Sequence, residues 1–414
     1  MSALSEMAVF FRSVVFWSAT AFAVPAIAQA PPDEPQTRAE LLQREREEKR
    51  RAAEPYRPTG LERAMHLGEA RIVPLLQRDG VYAKLGSLTT GSGFAYGAGF
   101  RDRSLVKGRG SLDTWAAASL KKYWTLEARA LYPLAPGGRV AVEGYGRKYD
   151  YPQEEFFGVG PDSRRVDQTV YDERGFFTGG RLAVAATRQL WFGAGVDYLR
   201  PTVAEGRSDR LRSIEDVFDP LEAPGQSTAF EFVQSLGQVT FDYRQPLNAR
   251  RGGWYNLGVS HFEDRRGNAT TFTRTDLELR QYVSFLAERR VLAGRIQIAT
   301  TDADQPGAIP FFLLPWLGGN DTLRGFRAYR FRGPHSILLQ GEYRWEIWSG
   351  LEAAFFTDAG KVTQTRDDLN FRSLEHDYGV GFRFNTDTGV VVRVDAAFGS
   401  RDGKHLHVVF GGIF

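Results

Sequence analysis

The chain of 414 residues has no cysteine, three methionines and six histidines. Without thiols there is no disulfide scaffold and no thiolate nucleophile, although an oxidising compartment remains compatible. The histidines stand at 66, 261, 335, 376, 405 and 407. His405 and His407 share one phase of the last periodic segment, but no serine, acid or further ligand completes a set around them. No Gly-x-Ser-x-Gly elbow occurs, and the pairs Gly158/Gly160, Gly193/Gly195 and Gly379/Gly381 lack the helix that must follow a nucleotide loop. The residues therefore assign no catalytic group, no metal and no cofactor. A formal net charge of +3 is small for this length, and acids alternate with bases along the chain, so no nucleic-acid partner is expected.

Long apolar runs are as scarce as thiols. The one near the N-terminus, Val14 to Val24, follows Arg12 and precedes small residues at Ala26 and Ala28, which reads as a signal peptide over 1–28. Beyond it, no segment approaches the roughly 18 apolar residues of a spanning helix. Residues 29–79 are expected to form a periplasmic linker and a charged helix. Thr37 and Glu40 have capping-box spacing, and Glu40/Arg44, Glu45/Lys49 and Glu47/Arg51 lie four apart over a helix expected at 38–53. Only Leu41 and Leu42 are large and apolar there, so the helix is either a solvated spacer or an element that plugs a pore or docks a partner. No periplasmic domain is expected in so short a piece.

What the chain has instead is 44 glycines, 30 phenylalanines, 16 tyrosines and 8 tryptophans with 25% charged residues. From Gly80 the sequence breaks into short segments of period two. Strands are expected at 80–88, 92–102, 109–120, 123–132, 138–150, 173–186, 189–199, 228–243, 253–263, 271–284, 290–300, 335–347, 351–362, 374–385, 389–399 and 404–414. Segments of this length cross a bilayer obliquely. The expected fold is all-β: a 16-stranded antiparallel transmembrane barrel over 80–414, preceded by a short N-terminal periplasmic helix. The longest connections (151–172, 200–227 and 301–334) fall on the side opposite the termini, the pattern of an outer-membrane barrel with long outer loops. Trp191, Trp254, Trp345 and Trp348 sit by short-turn ends, where an interfacial girdle is expected.

The segment from Asp302 to Pro334 is long for a connection and rich in apolar side chains, which argues for an ordered loop. It carries Leu323-Arg324-Gly325-Phe326. Downstream, 339–347 alternates strictly with Gln340, Glu342 and Arg344 in one phase, and 351–362 keeps Glu352, Phe356 and Asp358 in one phase. Glu342 and Asp358 can thus face the same side of adjacent strands.

On these residues the chain resembles the bacterial surface antigen family, the superfamily of BamA/TamA-like assembly factors and two-partner secretion transporters. The resemblance rests on the loop tip Leu323, Arg324, Gly325 and Phe326, on Glu342, and on Phe356, Asp358 and Gly360 as Phe-x-Asp-x-Gly. It continues through Tyr378-Gly379-Val380-Gly381-Phe382-Arg383 and Asp242-Tyr243-Arg244, and the C-terminal strand with Phe410 and Phe414 looks like an insertion signature. The resemblance implies a Gram-negative outer-membrane location and an Arg-Gly-Phe tip folded into the lumen against acids of the two following strands. The implied partners are outer-membrane lipid, the barrel-assembly machinery during insertion, and a separate periplasmic partner or client protein. The function it implies is protein insertion or translocation; the alternative from composition alone is a passive channel or structural barrel.

Overall fold

The computed structural model describes residues 42–45, 47–48, 79–245, 249–267, 271–286, 288–303, 309–348, 350–386 and 389–410. The N-terminal unit runs to Arg63, and its described residues, 42–45 and 47–48, are helical. The remainder of the expected 38–53 helix, the 1–28 segment and Phe414 lie outside the described residues.

The second unit is built on strands β1 (Gly80–Gly86), β2 (Ala95–Ser104), β3 (Gly110–Ser119), β4 (Trp124–Pro133), β5 (Val140–Phe156) and β6 (Thr169–Ala185). They are followed by β7 (Leu190–Glu205), β8 (Phe232–Asp242), β9 (Gly252–Asp264), β10 (Phe272–Phe285), β11 (Arg290–Ala303), β12 (Trp316–Leu317) and β13 (Phe331–Arg332). The series ends with β14 (His335–Trp348), β15 (Leu351–Thr363), β16 (Glu375–Thr386), β17 (Gly389–Ser400) and β18 (Gly403–Phe410). All except β12 and β13 form one antiparallel 16-stranded sheet in simple chain order. The sheet curls until β1 and β18 touch, although among the described residues no ladder joins them. Curling removes nearly every free strand edge, which is what lipid requires of a spanning sheet.

Alternation decides which side chain meets which solvent. Along β6 from Glu173, half-buried positions alternate with exposed ones. The exposed phase carries Phe176, Leu182 and Val184, and the other phase carries Glu173, Phe177 and Arg181 toward the lumen. The tryptophan girdle expected from the sequence divides. Trp345 and Trp348 are exposed on the outer wall, whereas Trp254 lies beneath Arg280 on the inner phase, 4.7 Å from its guanidinium. Trp191 shares the inner phase of β7 with Asp197. Position near a turn did not fix the face, because parity within each strand does.

Two of the expected outer loops are strand at their bases. β5 and β6 pair as far as Phe156 and Thr169, with a bulge between Tyr151 and Glu154, and β7 runs to Glu205. Their inner faces form a wall above the barrel, against which the 309–334 loop packs. Phe311 meets Phe156 and Tyr171, while Ile309 and Leu314 join Phe230, Phe232 and Phe272.

Candidate functional site

The tip of the 309–334 loop is shaped by its own backbone. Gly318 and Gly319 have φ of +115° and +98°, and a Cβ on Gly318 would stand 2.2 Å from the Arg327 carbonyl, so only glycine fits that turn. The Gly318 amide donates to Thr322 Oγ1 at 2.8 Å, and the Gly319 amide donates to the carbonyls of Leu323 (3.2 Å) and Phe326 (3.0 Å). β12 and β13 close the base of the loop as a two-residue ladder. Leu323 and Phe326 are fully buried with Leu317, Phe331, Leu338 and Val362, which fixes the tip against β14 and β15.

Held this way, Arg324 is fully buried in the lumen. Its Nε and Nη2 donate to the two oxygens of Asp358, each at 2.7 Å, a bidentate fork. The Arg324 amide reaches Asp358 Oδ2 at 3.2 Å. Nη1 donates to Glu342 Oε2 at 3.1 Å and to Asp395 Oδ2 at 3.4 Å. The Phe356 ring lies under the guanidinium, 3.5 Å from its carbon, and Gly360 leaves room for Leu317, which a Cβ would approach to 3.1 Å. Burial alone would depress the Arg324 guanidinium, but Asp358, Glu342 and Asp395 outweigh it and hold the group above the ordinary arginine range.

The acids are themselves bridged. Arg383 donates to Glu342 Oε2 at 2.8 Å and also to Asp395, and Arg344 donates to Glu342 Oε1 at 2.7 Å. Gln340 donates to the Thr322 carbonyl at 2.7 Å and to Asp358 at 3.1 Å, and Arg295 reaches the Asp321 carbonyl at 2.8 Å. His407 Nε2 lies 2.7 Å from the Arg324 carbonyl, and Ser400 Oγ donates to the Gly325 carbonyl. A second anchor follows. Arg330 donates to Ser163 Oγ at 2.8 Å and lies 3.2 Å from Asp402, and Tyr329 shares a 2.7 Å hydrogen bond with Thr89.

The structure thus brings together Leu323, Arg324, Gly325, Phe326, Glu342, Phe356, Asp358 and Gly360. Phe410 contributes its backbone to β18, opposite Val392. At Gly325 the constraint is space and not backbone conformation. Its φ is not left-handed; instead a Cβ there would stand 2.5 Å from Asp377 Cβ. Sequence reasoning missed Asp395 and Asp377, and it gave Arg383 and His407 no part in this site. Arg393-x-Asp395 and Asp377 are in-phase charges on strands that otherwise show apolar faces, and that was the available signal.

A family model described as the Omp85 superfamily domain matches residues 117–405, a span that contains Arg324, Glu342, Asp358, Arg383 and Asp395. Among solved structures, the chain is similar to BamA from Haemophilus ducreyi lacking POTRA domains 1-3, with a TM-score of 0.60 and 14% identity over 80% of this chain and 70% of that one. It is also similar to CdiB from Escherichia coli, with a TM-score of 0.51 and 13% identity over 79% of this chain and 61% of that one. At these identities the likeness concerns the fold. No curated protein sequence matches the chain.

Proposed function

The chain belongs to the Omp85 superfamily, and from that premise we propose that its outer-membrane barrel inserts or translocates polypeptides, with the 309–334 loop held in the lumen by Arg324. The observation that carries this reading is the burial of one loop cation against carboxylates of three different strands, β14, β15 and β17. A cation so placed stabilises one loop position strongly, because leaving its acids unpaired in a dry site costs several kcal/mol. The loop also touches both ends of the sheet: Tyr329 meets the β1–β2 connection, while Arg330 and the Arg324 carbonyl meet the β17–β18 turn and β18. Movement of the loop would therefore loosen the contact between β1 and β18, where a client strand could enter. The signal peptide over 1–28 exports the chain, and residues 29–79 supply a segment that a separate periplasmic partner would engage.

The test combines two measurements on the full chain. In planar bilayers, wild type should stay mostly closed with brief openings, and Arg324→Ala should conduct steadily. In cells, a photo-crosslinker at Leu406, on the exposed face of β18, should capture nascent outer-membrane polypeptides. A large steady wild-type conductance with no captured polypeptide would return the barrel to a passive channel.

A further inference from the structure

On the outer wall, β4 to β7 and the loops above them enclose a groove of about 310 Å³ lined by Trp124, Lys148, Arg174, Phe176, Arg200 and Arg266. Register explains how these residues meet. Lys148 is paired with Phe176 and Phe176 with Arg200, so cation, ring and cation stand in one row across three strands. Adjacent strands are about 4.8 Å apart, which sets the two cations about 10 Å from each other. One row further out, Trp124 pairs with Asp150 and Asp150 with Arg174.

The acids nearby do not neutralise this row. Asp172 is matched to Arg174 at 2.6 Å, and Arg207 meets both Asp150 and Asp172. Glu231 is shared between Arg266 at 3.4 Å and Arg200 at 3.9 Å, and Lys148 has no ion pair among the described residues. The groove therefore offers more cation than it consumes.

Height fixes what meets it. Below the row, the outward phase is apolar and exposed at Leu182, Val184 and Val196; Leu126 stands in the row beside Lys148, and the ring of Tyr198, one row lower, lies tilted against Phe176 at 5.8 Å. Arg174 and Val184 are ten residues apart on β6. At about 3.3 Å per residue and a tilt near 40°, that is about 25 Å, the height of the apolar band of such barrels. Arg174 thus stands at the outer edge of the hydrocarbon, and Lys148 and Arg200, one row lower, reach that edge with their long side chains, where a lipid presents phosphate above acyl chains.

From this placement we infer that the groove binds a phosphate-bearing lipid of the outer leaflet, with Lys148 and Arg200 on phosphate and Phe176 and Tyr198 against the first acyl carbons. The phosphate could also come from free inorganic anion, so the test separates the two. This rests on the outer-membrane orientation proposed above, but binding in micelles does not depend on orientation or on translocation. Its failure would leave that function standing.

The full chain in detergent is titrated with diphosphoryl lipid A, and bound lipid is counted by native mass spectrometry. Wild type should retain the lipid, K148A/R200A should bind at least tenfold more weakly, and K148R/R200K should bind like wild type. All three should keep the heat-modifiable mobility of a folded barrel. Equal retention by K148A/R200A, equal retention of the dephosphorylated lipid, displacement by millimolar inorganic phosphate, or preferential displacement by an acidic polypeptide would each overturn the assignment.

Discussion

Asp358 and Asp377 stand directly opposite one another on β15 and β16, both fully buried, with the loop tip against them. Only one of the two is compensated. Arg324 forks onto Asp358, whereas neither oxygen of Asp377 makes a hydrogen bond. Two carboxylates with one fork is a frustrated arrangement, and a buried carboxylate without donors costs more than a neutral amide. Asp377→Asn should therefore stabilise the folded barrel, by about 1–3 kcal/mol, and Asp358→Asn should destabilise it. The measurement is the temperature at which the compact gel band is lost. Equal shifts of the same sign in both variants would refute the asymmetry.

The same contact gives Gly325 a testable reason. A Cβ there would meet Asp377 Cβ at 2.5 Å, and a Cβ cannot rotate away. Gly325→Ala should therefore loosen the loop to protease. Adding Asp377→Gly should restore resistance, but Asp377→Ala should not, because alanine keeps the offending carbon. Rescue by both would mean that the charge of Asp377, rather than its Cβ, excludes a side chain at 325.

Arg324→Ala leaves Glu342, Asp358 and Asp395 facing a dry site without their shared cation, a change of about 3–5 kcal/mol for a buried pair. Arg383 and Arg344 still hold Glu342, so the loss concentrates on Asp358. Arg324→Lys should recover only part of the effect, since a single ammonium cannot span both Asp358 oxygens. Proteolysis within 309–334, read with the steady-state level of the barrel, reports the outcome. Wild-type resistance in Arg324→Ala would remove Arg324 from its anchoring role.

How far the sequence reached follows from what period two can and cannot say. It located sixteen strands, and the ladder of 335–348 with 351–363 sets Gln340 opposite Asp358 and Glu342 opposite Phe356. Phase along a strand is a local property, so Glu342 and Asp358 were legible together. Asp395 and His407 were not, because they meet Arg324 across 71 and 83 residues through closure of the sheet, which no local pattern encodes. The extensions of β5, β6 and β7 above the barrel were read as loop because Pro152, Pro201 and the acids near them look like turn chemistry. Tertiary pairing overrode that preference, with a bulge absorbing residues 152–153.

The second anchor of the loop predicts coupling across the two ends of the sheet. Arg330 and Asp402 are buried and 3.2 Å apart, so each single alanine variant strands the other charge. Arg330→Ala and Asp402→Ala should each lower the melting temperature, and the double variant should cost no more than either alone. Tyr329→Phe removes only its hydrogen bond to Thr89 and should cost about 1 kcal/mol. In bilayer recordings all of these should lengthen the open events. Additive losses in the double variant would show that Arg330 and Asp402 act separately.

The outward orientation of the long connections can be read by labelling, and the chain is well suited to it because it has no cysteine of its own. Val166, between β5 and β6, and Leu221, between β7 and β8, are 75% and 90% exposed, so a cysteine at either position disturbs no packing. Lys107 lies at the opposite end of the barrel, in the short β2–β3 turn. With both termini on the periplasmic side, an impermeant maleimide applied to intact cells should label cysteine at 166 and 221 and leave cysteine at 107 unmodified until the envelope is opened. Labelling of 107 alone would invert the barrel. It would also place the Lys148 and Arg200 row at the inner leaflet, where a different lipid would have to meet it.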